Sequence, residues 1–206
     1  MADNRSITSN GSNGKSSPQK RRPPRQPENQ QAKFYELLGE GTQALQQGWV
    51  IEAMDLLEQA YELEPEHPDL LLNLGGAYIL GKQWKKAVAV LEPLSERQPS
   101  NPMVWTNLGA AYLGNPVLAT DEKQQRAIGA FKLAIALDPK APNVAYNLGL
   151  IYRDRKEYEE AVSWFKRALE SNPSDKDARK FIARLSQELE SGGSASNEEH
   201  PSDSND

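Results

Sequence analysis

The frame Asn-Leu-Gly-x-x-Tyr occurs three times, at residues 73–78, 107–112 and 147–152. The first two copies stand 34 residues apart and the last two 40. A pattern returning at such a distance constrains a fold more than composition does. Each copy must be one structural unit that buries its apolar face against its neighbour. Pro65, Pro99, Pro139 and Pro173 keep the same step. Ala60, Leu94, Ala134 and Ala168 lie five residues before them, Leu57, Leu91, Phe131 and Phe165 eight before, and Ala53, Ala87, Ala127 and Ala161 twelve before. These offsets put all three sets on one face of a helix. The small Ala lets a second helix approach, and the Leu or Phe fills the gap above it.

The first half of each unit has its own frame. Gly41, Gly75, Gly109 and Gly149 share one place, followed three residues later by Ala44, Tyr78, Tyr112 and Tyr152. Such a glycine is predicted mid-helix, where it costs about 1 kcal/mol relative to Ala. The repetition of that cost implies a helix crossing where a Cβ would collide. The Tyr is expected to pack under the next helix. Pro68, Pro102 and Pro142 are expected to open the first helix of units two to four, with Asn101 as an N-cap. The four unit-ending prolines stop the second helix.

The 34-residue period, the Leu-Gly-x-x-Tyr frame, the later Ala and Phe and the terminal Pro together resemble the tetratricopeptide repeat, over residues 34 to about 173. The resemblance implies an all-α, right-handed α-solenoid of four such repeats, at about 34–67, 68–101, 102–141 and 142–173. A capping helix over 174–190 would close the stack with Ala178, Phe181, Ile182 and Leu185. Unit one departs most, with Glu40 where later units have Leu and Ala44 where they have Tyr. The extra residues of unit three fall within 114–125. They predict a longer inter-helix loop and an added turn on the second helix, with Asp121 and Gln124 as a capping box.

Residues 1–33 are rich in Ser, Asn, Gln, Pro and Arg and nearly free of large apolar residues. They are expected to be a disordered basic tail, and 191–206 a disordered acidic one. Seven Lys/Arg against Asp3 and Glu28 give the first tail a charge of +5, while residues 34–190 carry −6 and 191–206 carry −4. An acidic folded region is not expected to bind nucleic acid. Lys20, Arg21, Arg22 and Arg25 lie among prolines, and Arg21, Pro24 and Pro27 match a spacing that suits polyproline grooves. The same cluster suits an anionic lipid surface or the acidic solenoid itself.

No cofactor, metal site or enzymatic activity is expected. The chain has no Cys, and no phosphate-binding glycine loop or His-Glu-x-x-His motif occurs. His67 and His200 are isolated, and Trp49, Trp84, Trp105 and Trp164 read as packing residues. The N-terminus has no apolar run and no stretch reaches membrane-spanning length, so a cytoplasmic location is expected.

The resemblance further implies a concave groove lined by the first helices. It turns Tyr35, Leu38, Asp69, Leu72, Asn73, Met103, Thr106, Asn107, Asn143, Tyr146, Asn147 and Arg153 toward that groove. Asn73, Asn107 and Asn147 would form a ladder of amides able to hold a peptide backbone, or would satisfy neighbouring helices instead. Family members that clamp a chaperone's acidic C-terminus use Lys, Arg and Asn. Here those places hold Leu38, Thr42, Met103 and Asn107, and Asn73 alone agrees. The leading expectation is a non-catalytic interaction module: an adaptor, co-chaperone or assembly factor with a protein or peptide partner. A scaffold tethered to a membrane surface by the basic tail, a subunit of an enzyme complex, and self-association are the alternatives.

Overall fold

The computed structural model describes residues 27–195. Among them the chain forms nine α-helices and one 3₁₀ turn, with no strand. The first helices of the four units are α1 (Pro27–Gln46), α3 (Pro68–Leu80), α5 (Pro102–Leu113) and α7 (Val144–Asp154). Their second helices are α2 (Val50–Leu63), α4 (Trp84–Arg97), α6 (Asp121–Leu137) and α8 (Tyr158–Ser171), and α9 (Lys176–Ala195) follows. Each first helix packs on its second, and each second helix on the next first helix, so the pairs stack in order as a helical solenoid.

The repeated glycines set the distance within each pair. A Cβ on Gly41 would lie 2.7 Å from Leu57, on Gly75 2.6 Å from Leu91, on Gly109 2.6 Å from Phe131 and on Gly149 2.8 Å from Phe165. Those four Leu and Phe side chains are fully buried, as are Ala53, Ala87, Ala127 and Ala161. The buried residues form two adjoining clusters, and α5 contributes to both.

The turns inside the units explain where the first helices stop. In units one, two and four a residue in the left-handed region ends the helix: Gly48 at φ 78°, Lys82 at φ 58° and Lys156 at φ 62°. The next residue's N–H returns to the helix, Trp49 to Ala44 O at 2.9 Å, Gln83 to Tyr78 O at 2.7 Å and Glu157 to Tyr152 O at 2.9 Å. This is the Schellman arrangement, which satisfies carbonyls that the helix end leaves open. In unit three the extra residues replace it with Gly114 at φ 60° and a 3₁₀ turn over Pro116–Leu118. The second helix of that unit is longer, 17 residues in α6 against 14 in α2, α4 and α8.

The links between units correct two expectations. Pro68 and Pro102 open α3 and α5, but Pro142 lies before α7, which starts at Val144. The equivalent cap places are His67, Asn101, Ala141 and Asp175. Asn101 accepts from Met103 N at 3.0 Å, and Asp175 from Ala178 N at 2.9 Å. At Ala141 the chain first makes a turn through Pro142 and Asn143, the latter at φ 62°. The lack of a capping side chain does not by itself explain this, since His67 makes no cap bond either and α3 still starts at Pro68. The cap of α6 is Thr120, accepting from Lys123 N, and not Asp121, which is already helical. Gln124 is buried instead, with Arg155 Nη1 3.5 Å from its Oε1.

The ends differ too. Helix α1 begins at Pro27, inside the segment expected to be disordered, because proline suits a first helical turn and nothing from Glu28 to Lys33 breaks a helix. Helix α9 runs five residues past the expected boundary, to Ala195. The other residues of the two expected tails lie outside the described residues. Trp49 is not the packing residue its place in the repeat suggests, being 56% exposed just before α2. Trp105 does pack, donating its Nε1–H to Pro99 O at 2.8 Å.

Four substitutions have expected outcomes for stability in urea. Gly75→Ala is expected to lower it by about 1–3 kcal/mol through overpacking, despite alanine's better helix propensity. Gly129→Ala, in α6 with nothing within 4 Å of the added Cβ, is expected to raise it by about 0.5–1 kcal/mol. Lys82→Gly and Lys156→Gly are each expected to stabilise by about 0.5–1 kcal/mol. That is the relief of a left-handed non-glycine residue less glycine's extra freedom in the unfolded chain.

Candidate functional site

The first helices lie side by side, α1 against α3 and α3 against α5. Four rows of equivalent residues run across them. One row is Tyr35, Asp69, Met103 and Asn143, and the next is Leu38, Leu72, Thr106 and Tyr146. The third is Gly39, Asn73, Asn107 and Asn147, and the fourth is Thr42, Gly76, Ala110 and Leu150. Tyr35, Leu38, Asp69 and Asn73 come together in one open depression between α1 and α3, with Thr42 and Gln43. Tyr35 is 52% and Met103 61% exposed, whereas Leu38, Leu72 and Leu150 are only half-exposed. Gln43, Gln46 and Gln47 also line this depression and were missed from sequence, although they continue the same helix one or two turns on. This end of the groove is richer in amides than the expected apolar lining.

The amide ladder is uneven. Asn73 Nδ2 donates to Thr42 Oγ1 at 2.9 Å, and Thr42 donates to Leu38 O at 2.7 Å, so Asn73 is tied to the preceding helix. Asn107 has Gly76 where Asn73 has Thr42, and its Nδ2 would be 3.8 Å from a Cβ placed there. The residue at the place of Gly76 in unit three is Ala110. Among the described residues no group hydrogen-bonds the half-buried amides of Asn107 and Asn147. Thr106 turns its hydroxyl to Pro102 O at 2.9 Å.

The far end of the groove is closed by α9. Phe181 stacks on Phe165 at 4.9 Å, meets Tyr146 at 6.4 Å and carries the Arg153 guanidinium 4.9 Å from its ring centroid. Arg153 also donates to Asp154 Oδ1. Burial pushes the Tyr146 phenol up, and Asp175 and Asp177 add to the effect. Asn143 sits on the turn before α7 and not on the helix face. It shares a second depression with Tyr146, Asn172 and Asp175.

The strongly perturbed titratable groups lie elsewhere, between units. Tyr78 donates to Glu58 Oε1 at 2.8 Å, and Lys86 reaches the same oxygen at 3.0 Å. One repeat later Tyr112 donates to Glu92 Oε1 at 2.8 Å, with Arg126 on that carboxylate and over the Tyr112 ring at 3.9 Å. Each Tyr therefore docks its hydroxyl on the second helix of the preceding unit, while a cation of the helix that follows, Lys86 or Arg126, lies over its ring. Burial is the main reason the Tyr78 and Tyr112 phenols are pushed up, and the Lys86 and Tyr78 hydrogen bonds hold the Glu58 carboxyl down. At the next junction the place of Glu92 is taken by Lys132, whose Nζ lies 5.8 Å from the Tyr152 ring. These groups have the geometry of structural clamps. No cluster of His, Cys, Asp and Glu among the described residues has metal-ligand spacing, and no described helix is long and apolar enough to cross a membrane.

Profiles described as tetratricopeptide repeat match residues 44–111 and 116–176. The chain belongs to the tetratricopeptide-repeat family. Repeats of this family are protein-interaction modules, typically without catalytic activity. No curated protein matches the chain in sequence. Among solved structures it is similar to MamA MSR-1, at 25% identity and a TM-score of 0.64, covering 79% of this chain and 90% of that one. It is also similar to TTC0263, a thermophilic repeat protein of Thermus thermophilus, at 22% identity and 0.63, covering 76% and 82%. MamA 41-end from Desulfovibrio magneticus RS-1 aligns at 24% and 0.59, covering 69% and 77%. The last two likenesses concern the fold alone.

The clamp at Glu58 gives the repeat stack a pH signature. Its carboxyl is held low in the folded state, so its contribution is present above the unfolded value and is lost as pH falls through the folded one. The stability difference between wild type and Glu58→Gln is expected to be flat near neutral pH and to shrink between about pH 5 and pH 3, read by urea unfolding across pH.

Proposed function

We propose that this protein is a non-catalytic adaptor that holds an extended segment of a partner protein across its first helices, in the manner of an adaptor, co-chaperone or assembly factor. The observation that carries the reading is the pair of half-buried amides on Asn107 and Asn147. Asn107 faces Gly76, which has no side chain to satisfy it, and Asn147 makes no side-chain hydrogen bond among the described residues. Neither amide is sealed from water, the buried side-chain atom without a partner among the described residues being His67 Nδ1, so both are free to exchange water for a peptide group, which can use donor and acceptor together. Packed helices stand about 8–10 Å apart. That is about three residues of an extended chain at roughly 3.3 Å each. Asn73 and Asn107, on the packed helices α3 and α5, therefore stand about three residues of extended chain apart, and amides at that step read the backbone whatever the side chains. The exposed Tyr35 and Met103 supply apolar contact beside it.

The places used by a two-carboxylate clamp hold Leu38, Thr42, Met103 and Asn107. An acidic C-terminal tail is therefore a poor fit for this groove, and a neutral or basic segment a better one.

The test uses peptides selected on the wild-type chain from a random display library. The Asn107→Ala, Asn147→Ala double variant is expected to unfold at the wild-type urea midpoint yet bind those peptides about tenfold more weakly, a loss of about 1.4 kcal/mol. Asn73→Ala is expected to lose about 0.5–1.5 kcal/mol of stability, because its amide already bonds Thr42. Unchanged peptide affinity in the folded double variant would overturn the amide-ladder reading.

A further inference from the structure

From Phe34 to Gly81 the chain has nine Asp and Glu and not one Lys or Arg. Among the described residues only Glu36 and Glu58 of the nine have a cation at ion-pair distance, Lys33 and Lys86. The first unit and the first helix of the second are therefore strongly and uniformly negative. Asp69 brings that charge into the groove, beside the exposed face of Tyr35 and the amides of Gln43 and Asn73, and among the described residues no cation lines the depression.

The segment immediately before this region has the opposite character. Lys20, Arg21, Arg22 and Arg25 fall within six residues, together with Pro23 and Pro24. The last proline of the Arg-x-x-Pro-x-x-Pro spacing, Pro27, is the first residue of α1, so the basic run ends where the helix begins. Tyr35 lies eight residues along that helix, about 12 Å away at 1.5 Å per residue. Residues 20–25 are two to seven residues from Pro27, which extended chain spans in about 7–25 Å. Tyr35 is within that reach, and Asp69 lines the same depression.

We infer that the segment Lys20–Arg25 occupies the α1–α3 end of this chain's own groove, an arginine over Tyr35 and a cation on Asp69. This rests on the groove proposed above as the peptide-binding face. The chemistry is complementary in each respect. A guanidinium suits the face of an aromatic ring and a carboxylate at once. A proline-rich backbone is already extended, so docking it costs little ordering entropy. A short tether holds the segment at millimolar effective concentration, so weak contacts suffice to fill the site. A partner must then displace the segment, which lowers its apparent affinity by the fraction of chains that are open.

The chain has no Cys, so Ser17→Cys in the full-length protein gives a single site for a nitroxide label. Amide signals of Tyr35, Asp69 and Asn73 are expected to broaden at about 0.1 M salt and to recover at about 1 M, where the Debye length drops from about 10 Å to about 3 Å. They are also expected to recover when Lys20, Arg21, Arg22 and Arg25 are all changed to Glu. Broadening confined to residues 27–33, or indifferent to salt, would overturn the inference. So would broadening that appears only between labelled and unlabelled chains in a mixture, since the contact would then be with a second copy. In the partner arm, library-selected peptides are expected to bind the charge-reversed chain at least about threefold more tightly than wild type, and equal affinity would overturn the competition. Salt-sensitive broadening with no library peptide binding to either chain would sink the peptide-holding reading and leave the internal contact standing.

Discussion

The stack depends on one steric fact repeated four times: a helix that carries glycine where the facing helix carries Leu or Phe. The gap at Gly41, Gly75, Gly109 and Gly149 is already filled by Leu57, Leu91, Phe131 and Phe165. With that distance set, the Ala residues one turn away also reach full burial. The pair becomes a rigid unit whose remaining apolar surface can be covered only by another pair.

What joins one pair to the next is partly polar, and this explains the irregular first unit. The repeated Tyr docks its hydroxyl on a Glu of the preceding second helix, where Lys86 or Arg126 completes the pair of charges. Among the described residues no helix precedes unit one, and Ala44 stands in the Tyr place there. At the other end Phe181 occupies the place of the ladder Asn and buries itself against Phe165 and Tyr146. The two ends are thus finished by different means, a small residue at one and an aromatic plug at the other.

The groove inherits this asymmetry. Its α7 end is covered by the closing helix, while its α1 end is open, acidic and amide-lined. The middle holds two amides without partners among the described residues. In the proposed reading the binding chemistry runs from α1 to Asn147 on α7, and its α1 end carries charge complementary to the segment that precedes it.

The amino-acid sequence by itself determined the helical class, the four-unit period, the mid-helix glycines and their reason, and the lengthened second helix of unit three. These follow from spacing, because helical periodicity and close packing are written in the positions of small and large residues. It did not determine the Schellman turns at Lys82 and Lys156, which lysine disguises, although alignment with Gly48 holds the signal. Nor did it determine the late start of α7, or the cap at Thr120, because capping turns on which side-chain oxygen meets which N–H. Only the tertiary structure decided that Tyr78 and Tyr112 point backward and that Asn73 is already bonded while Asn107 and Asn147 are not. Whether an amide is satisfied depends on what stands opposite it on another helix, and Thr42 and Gly76 meet Asn73 and Asn107 only once the units are stacked.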